Sequence, residues 1–543
     1  TTTDTDLTIG GNLVIAEAAS PTLSTGAGTA GNILITGTTN GTAGGVAESL
    51  TVQAGTGTAT FTGNVGNNTN ATELEALTIT NAAATTFSGT LDLAGALTQT
   101  NAATGTTTFT GAVSVGSADL KGTDYALDNS FASAGNFSLI GTGVNQLGAL
   151  TVAGTSTLGF GTGNSAALAH AGNNFVGTVS VVSGNNVTLN DIDTIDFGNS
   201  SVSGGLVVTA SGAITDSGNI SVGGGSTLTA GAANDITLDN ANSFGGAVAV
   251  VSAKDVLLNA MGAINLGPST ISGYLDVTAG GSITQSGILN ITGDLWAKTT
   301  GGNIDFGLSN HVGGTVSLIT PLSNGVAGAG NSIVFKSDHI KVGLARPSGG
   351  AESGITAARV TIETVNGSGD IDYEGKAGST GLITADAPLG ATASLTIRTT
   401  SANGVIGDSS APTTKGLRVQ TSGLVQVFGD GIGDGTIFLI GDDAVQPKYE
   451  FSGDPLHRIV KYNGVDATNA QLTGALDAAY LDIRNQTTEI RESGFAKENA
   501  SKVLRRGVVT SAGPGQPAVD DSTGLAGMEL CDGTYGNDAL ACQ

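Results

Sequence analysis

Few residues in this chain have the types and spacing that chemistry requires. The densest acidic group is Asp191, Asp193 and Asp196. Carboxylates at a fixed separation can act as acid and base on a polysaccharide, and acidic calcium ligands beside a basic residue can do related work. No Arg or Lys lies near this trio, and one repeat later the aligned positions hold Ala260, Gly262 and Asn265. A solvated turn fits the trio better than a catalytic site. GDGIGDGT at 429–436 has the form of one turn of a glycine–aspartate calcium repeat, with Asp430 and Asp434 as candidate ligands. Such repeats bind calcium between tandem copies. A single copy is better read as an ordinary turn. His170, His311, His339 and His457 are scattered and suggest neither a triad nor a metal site. Cys531 and Cys542 enclose ten residues in a chain otherwise free of Cys, which suggests a small disulfide loop in an oxidising compartment. A metal site there would want four ligands, and no His lies nearby. No catalytic residue and no cofactor is expected.

The elements that carry these residues repeat. NNFVGTVSV from Asn173 returns as NSFGGAVAV from Asn242 and as NHVGGTVSL from Asn310, at offsets of 69 and 68. Val187 keeps register with Val256, Leu189 with Leu258, Ile195 with Ile264 and Ile214 with Ile283. Earlier, TATFTGNV, ATTFSGTL and TTTFTGAV place Phe61, Phe87 and Phe109 at offsets of 26 and 22. Within each repeat, period-two alternation over four or five residues is broken by Gly-Asn or Ser-Gly turns, the pattern of short strands with one buried face. The expected fold is all-β: a parallel β-helix, with three coils of about 23 residues to each long repeat. Small apolar residues would fill a narrow interior as coils stack at about 4.8 Å. The competing architecture is an antiparallel β-sandwich array, which would show longer repeats and larger core aromatics.

Composition agrees and excludes other classes. The 543 residues carry a net charge of −25, 86 Gly, 12% charged residues and 4% aromatics. Between Thr1 and Ala253 the one basic residue is Lys121, so nucleic acid is not an expected partner. No apolar run of about 18 residues suggests a membrane-spanning helix. The opening TTTDTDLTIGGNLVI is already in strand-and-turn style, so the chain reads as a piece of something longer.

Four regions follow: a stalk of coils over 1–441, capping strands and a helical module over 442–509, a Pro/Gly-rich linker over 510–530, and a cysteine loop over 531–543. In the second region Leu472, Ala475, Leu476, Ala479 and Ile483 fall on one helical face, and Gly507 has the position of a helix stop after Arg505 and Arg506.

By its Gly/Asn/Thr/Ser-rich coils, residues 1 to about 440 resemble filamentous-haemagglutinin-type exoproteins of two-partner secretion, which are β-helical adhesins of Gram-negative bacteria. Surface-retained members end in a paired-cysteine hook held in a pore-forming outer-membrane partner, and Cys531 and Cys542 match that arrangement. The CdrA-like biofilm-matrix adhesins also carry a Thr-Ala-Ala-Gly site cut by a periplasmic protease. Thr510, Ser511, Ala512 and Gly513 resemble it, with Ser where Ala is usual. The resemblance implies an outer-membrane-anchored cell-surface adhesin, releasable to the matrix, that supports adhesion and biofilm formation through an exopolysaccharide or other surface ligand. The family's N-terminal secretion domain is not seen in this sequence. The alternatives are a secreted β-helix polysaccharide lyase or hydrolase and a self-assembling matrix or surface-layer filament.

Overall fold

The computed structural model describes residues 1–28, 30–42, 48–67, 74–100, 105–322, 330–343, 346–349, 354–365 and 370–373. Beyond these it describes the strands Leu382–Ala385, Leu395–Thr399, Leu417–Thr421, Leu424–Gly429, Gly435–Gly441, Lys448–Phe451, Ala479–Ile483 and Leu504–Arg506. The chain divides into two compact units, Thr1–Ala253 and Lys254–Gln543.

The first unit is a parallel β-helix of three-sided coils. Its first face stacks seven strands, among them Thr58–Phe61, Ala84–Phe87, Thr106–Phe109 and Asp124–Leu127. Its second face carries Leu91–Asp92, Val113–Val115, Phe131–Ser133, Leu150–Val152 and Asn174–Phe175. The third runs through Ala96–Gln99, Ser117–Lys121, Phe137–Ile140, Ser156–Gly159 and Val179–Ser183. Each strand pairs in parallel with its counterpart one coil away, so the ladder hydrogen bonds run along the helix axis.

Alternation sets the core. Along Thr106–Phe109 the burial pattern is intermediate, buried, intermediate, buried. Phe61, Phe87 and Phe109 meet in register inside the coil stack, with ring centroids 4.9 and 5.2 Å apart and interplanar angles of 12° and 3°. The Phe spacing in the sequence is therefore a stacking distance in the fold. A glycine column forms one corner. A Cβ on Gly63 would lie 2.4 Å from the Gly37 carbonyl oxygen, and one on Gly111 would lie 2.1 Å from that of Gly89. Coils pass too closely there for any side chain.

The three-coil repeat expected from the sequence is corrected in its arithmetic. Val187 stacks on Leu206, Leu206 on Ser226 and Ser226 on Val248, so three coils carry the chain from Val187 to Val248. The sequence counterpart of Val187 is Val256, which lies beyond Val248. Coils are thus shorter here than an even division of the repeat requires, and the repeat overruns three of them. Counterparts consequently move from face to face. Phe109 and Val113 lie on the first and second faces, whereas their counterparts Phe175 and Val179 lie on the second and third.

The second unit has the same build. Val256, Leu275, Leu295 and Val316 stack through parallel pairs, and Ile333, Val360 and Leu395 do so on another face. Over 442–509, where capping strands and a helical module are expected, the residues that are described form strands. Ala479–Ile483 is a strand parallel to Gly435–Gly441, and Leu504–Arg506 pairs with it in turn. Ala479 and Ile483 sit four apart, a spacing that suits either period, and Ala479, Leu481 and Ile483 alternate with Tyr480 and Asp482. Coil stacking takes the strand option. Leu472, Ala475 and Leu476 lie outside the described residues, and among those described no helix occurs.

Candidate functional site: a polar groove on the second face

Outward positions of the second face form a groove of about 570 Å³ over consecutive coils of the first unit. One wall is the row Asn40, Gly66, Asp92, Ser114 and Ala132, and beside it runs Thr38, Asn64, Thr90, Ala112 and Ser130. The ladder places these rungs at the coil spacing of about 4.8 Å. Corner amides fix the second row: Asn64 Oδ1 accepts the Thr90 N–H at 3.1 Å, and Asn12 Oδ1 accepts that of Thr38 at 3.0 Å. Gly66, at φ +76°, lets the Asp92 carbonyl pass where a Cβ would stand 1.6 Å away. The buried Oδ2 of Asp92 has no hydrogen-bond partner among the described residues. The lining mixes hydroxyls, amides and one carboxylate with Gly66, Leu91, Ala112, Val113 and Ala132, and among the described residues it includes neither an aromatic ring nor a cation. Chemically this groove can hydrogen-bond a linear polyhydroxyl chain at successive rungs. Sequence reading missed it, although Thr38, Asn64 and Thr90 recur at even spacing.

The acidic trio is built into the coils, and the first of the three is buried rather than solvated. Asp191 is 4% exposed and accepts the N–H groups of Phe175 at 3.1 Å and Asp193 at 2.9 Å. Burial pushes its carboxyl above the usual range, opposed by those two hydrogen bonds. Asp193 accepts from Thr194 N at 2.9 Å, while Asp196 accepts from the hydroxyls of Thr178, Thr215 and Ser217. Each carboxylate thus braces its own piece of backbone or hydroxyl ladder.

The Asn that opens each repeat is a buried bracket between coils. Asn173 Oδ1 accepts the Leu150 N–H at 2.9 Å, Asn242 Oδ1 that of Ile220 at 2.7 Å, and Asn310 Oδ1 that of Leu289 at 3.0 Å. Their amide nitrogens donate to Gln146, Asp216 and Gln285 respectively. Burial is the first cause raising the Asp216 carboxyl, with four hydrogen bonds from Asn242, Asp239 and Asn240 opposing it. Of the scattered histidines, His311 Nδ1 sits 2.6 Å from Asp338 Oδ2 and His170 Nδ1 accepts the Gly172 N–H. Among the described residues no group of three His, Cys, Asp or Glu is placed to hold a metal. Asp430, Asp434, Thr510, Ser511, Ala512, Gly513, Cys531 and Cys542 lie outside the described residues.

Fold and groove together define a β-helical repeat protein. Residues 111–182, 184–251 and 253–319 each match a family model described as repeats of unknown function (DUF5649). The matched units end at 182, 251 and 319, just after the anchor segments that open at Asn173, Asn242 and Asn310. No curated protein and no solved structure matches the chain.

Proposed function

We propose that this chain is the stalk of a bacterial cell-surface adhesin, anchored at the outer membrane through its C-terminal cysteine loop and serving adhesion and biofilm formation. The observation that supports this reading is the parallel coil-to-coil pairing that recurs through the described residues of each unit. Its hydrogen bonds run along the axis, so a pull on the chain loads many coil-to-coil bonds in series with little side-chain chemistry involved. In this reading the polar groove of the first unit is where a matrix exopolysaccharide lies. The loop closed by Cys531 and Cys542 would be too wide to thread the pore of an outer-membrane secretion partner. Cleavage at Thr510–Gly513 by a periplasmic protease would release the stalk to the matrix.

The test is retention. Cys531→Ser, expressed with its secretion partner, should shift the protein from cells to medium while leaving its circular dichroism and melting unchanged. Wild-type amounts of the serine variant on the cells would overturn the anchored-stalk reading.

A further inference from the structure

We propose that Asp276 and Trp296 form a binding site for an arginine side chain, occupied here by Arg346 of the same chain. Asp276, Trp296 and Ser317 are neighbours on successive coils of one face of the second unit. Their neighbours along the strands, Leu275, Val277, Leu295, Ala297, Val316 and Leu318, fill the core, so these three project outward. Nevertheless Asp276 and Trp296 are both 0% exposed.

A guanidinium lies against both of them. Arg346 Nε lies 3.1 Å from Asp276 Oδ2 and its Nη2 lies 3.2 Å from Oδ1, a two-pronged pairing. Nη2 also donates to the Thr278 hydroxyl at 2.8 Å. The guanidinium carbon stands 4.2 Å from the indole centroid. A planar cation stacked on an aromatic face and forked onto a carboxylate is recognition of arginine; a lysine ammonium has neither the plane nor the fork.

The fold does not require this constellation. In the preceding repeat the same strand positions hold Val207 and Thr227, which build equivalent parallel strands with no carboxylate and no aromatic. The one tryptophan of the chain has therefore been placed outward, beside an acid, at a position where threonine suffices. Arg346 arrives from the connection between Ile340–Val342 and Ile355–Ala357, where Gly343 and Gly349 take φ values of +107° and +103°. Its side chain remains 26% exposed, so the occupant sits at the protein surface. The site accepts an arginine from a partner peptide once the chain's own is withdrawn, and the tether sets the concentration against which that partner competes.

The single tryptophan reports on the site directly. In Arg346→Ala the indole should become accessible to acrylamide, raising the quenching constant severalfold with a red-shifted emission. Acetyl-arginine amide should reverse both changes, and acetyl-lysine amide should not. Arg346→Lys keeps the charge but loses the fork, and should quench like the alanine variant. Adding Asp276→Asn to Arg346→Ala should abolish the reversal, with circular dichroism confirming an intact coil stack. Unchanged quenching in Arg346→Ala, equal reversal by the lysine compound, or no reversal by the arginine compound would each overturn the proposal.

Discussion

Asn242 and Asp216 stand far apart in sequence and meet across adjacent coils, with the Asn242 amide donating to Asp216 Oδ2 at 2.7 Å. Asn242 is 0% exposed and its Oδ1 holds the Ile220 N–H. Asn242→Ala strips a donor from a buried carboxylate and leaves a buried backbone N–H without its acceptor. The expected destabilisation is about 2–4 kcal/mol, read from the urea midpoint at unchanged slope. A loss inside experimental error would mean the bracket contributes nothing.

The same pair gives a pH signature. Burial raises the Asp216 carboxyl in the folded state above its unfolded value. The folded protein therefore binds this proton more tightly than the unfolded chain does, and the group's contribution is greatest at low pH. That contribution is lost as pH rises through the raised folded value. Asp216→Asn removes it. The stability of wild type relative to Asp216→Asn should increase as pH falls from neutral and level off below the ordinary carboxylate range, near about 3.9. Taking the difference cancels the general relief of acidic repulsion in a chain of net charge −25. A flat difference across that range would contradict the burial argument.

Much of the fold was legible because a solenoid writes its geometry into sequence period. Phe61, Phe87 and Phe109 declared a coil spacing, and the Asn173, Asn242 and Asn310 segments declared the long repeat. The length of each coil was not legible. The offset from Val187 to Val256 divides evenly by three on paper, but the observed register closes three coils already at Val248. Strand alternation says which residues point inward and nothing about where the corners fall. The helical expectation at Ala479 and Ile483 failed for a related reason: short Ala/Leu-rich runs satisfy both periods, and only the neighbouring coil decides. The groove was illegible because outward Thr, Asn and Ser are what any solvated strand shows. Only stacking sets Asp92 beside Gly66 and Ser114.

The glycine corner makes a sharper test of coil contact than any core residue. Gly63→Ala would put a methyl 2.4 Å from the Gly37 carbonyl oxygen, with backbone rather than a flexible side chain as its neighbour. The coils must separate locally, at a cost of roughly 1–3 kcal/mol. Gly10→Ala meets nothing within 4 Å and serves as the matched control, expected to change stability by less than about 0.5 kcal/mol. Equal melting of the two variants would show that the corner is looser than the stacking requires.

The groove can be blocked without touching the core. Ser114 projects outward from Val113–Val115 between two buried valines and lies in the wall beside Asp92. Ser114→Trp fills the space with a large side chain while Val113 and Val115 keep the strand seated. Its melting temperature should stay at the wild-type value, since the added ring meets solvent rather than packed neighbours. Retention of matrix exopolysaccharide, measured by pull-down with the purified polymer, should fall sharply. The same ring placed at Ser201, an exposed position on another face, should leave retention intact. Loss with both variants would point to a general surface effect. Loss with neither would place polysaccharide capture elsewhere on the molecule and leave the groove a consequence of coil stacking alone.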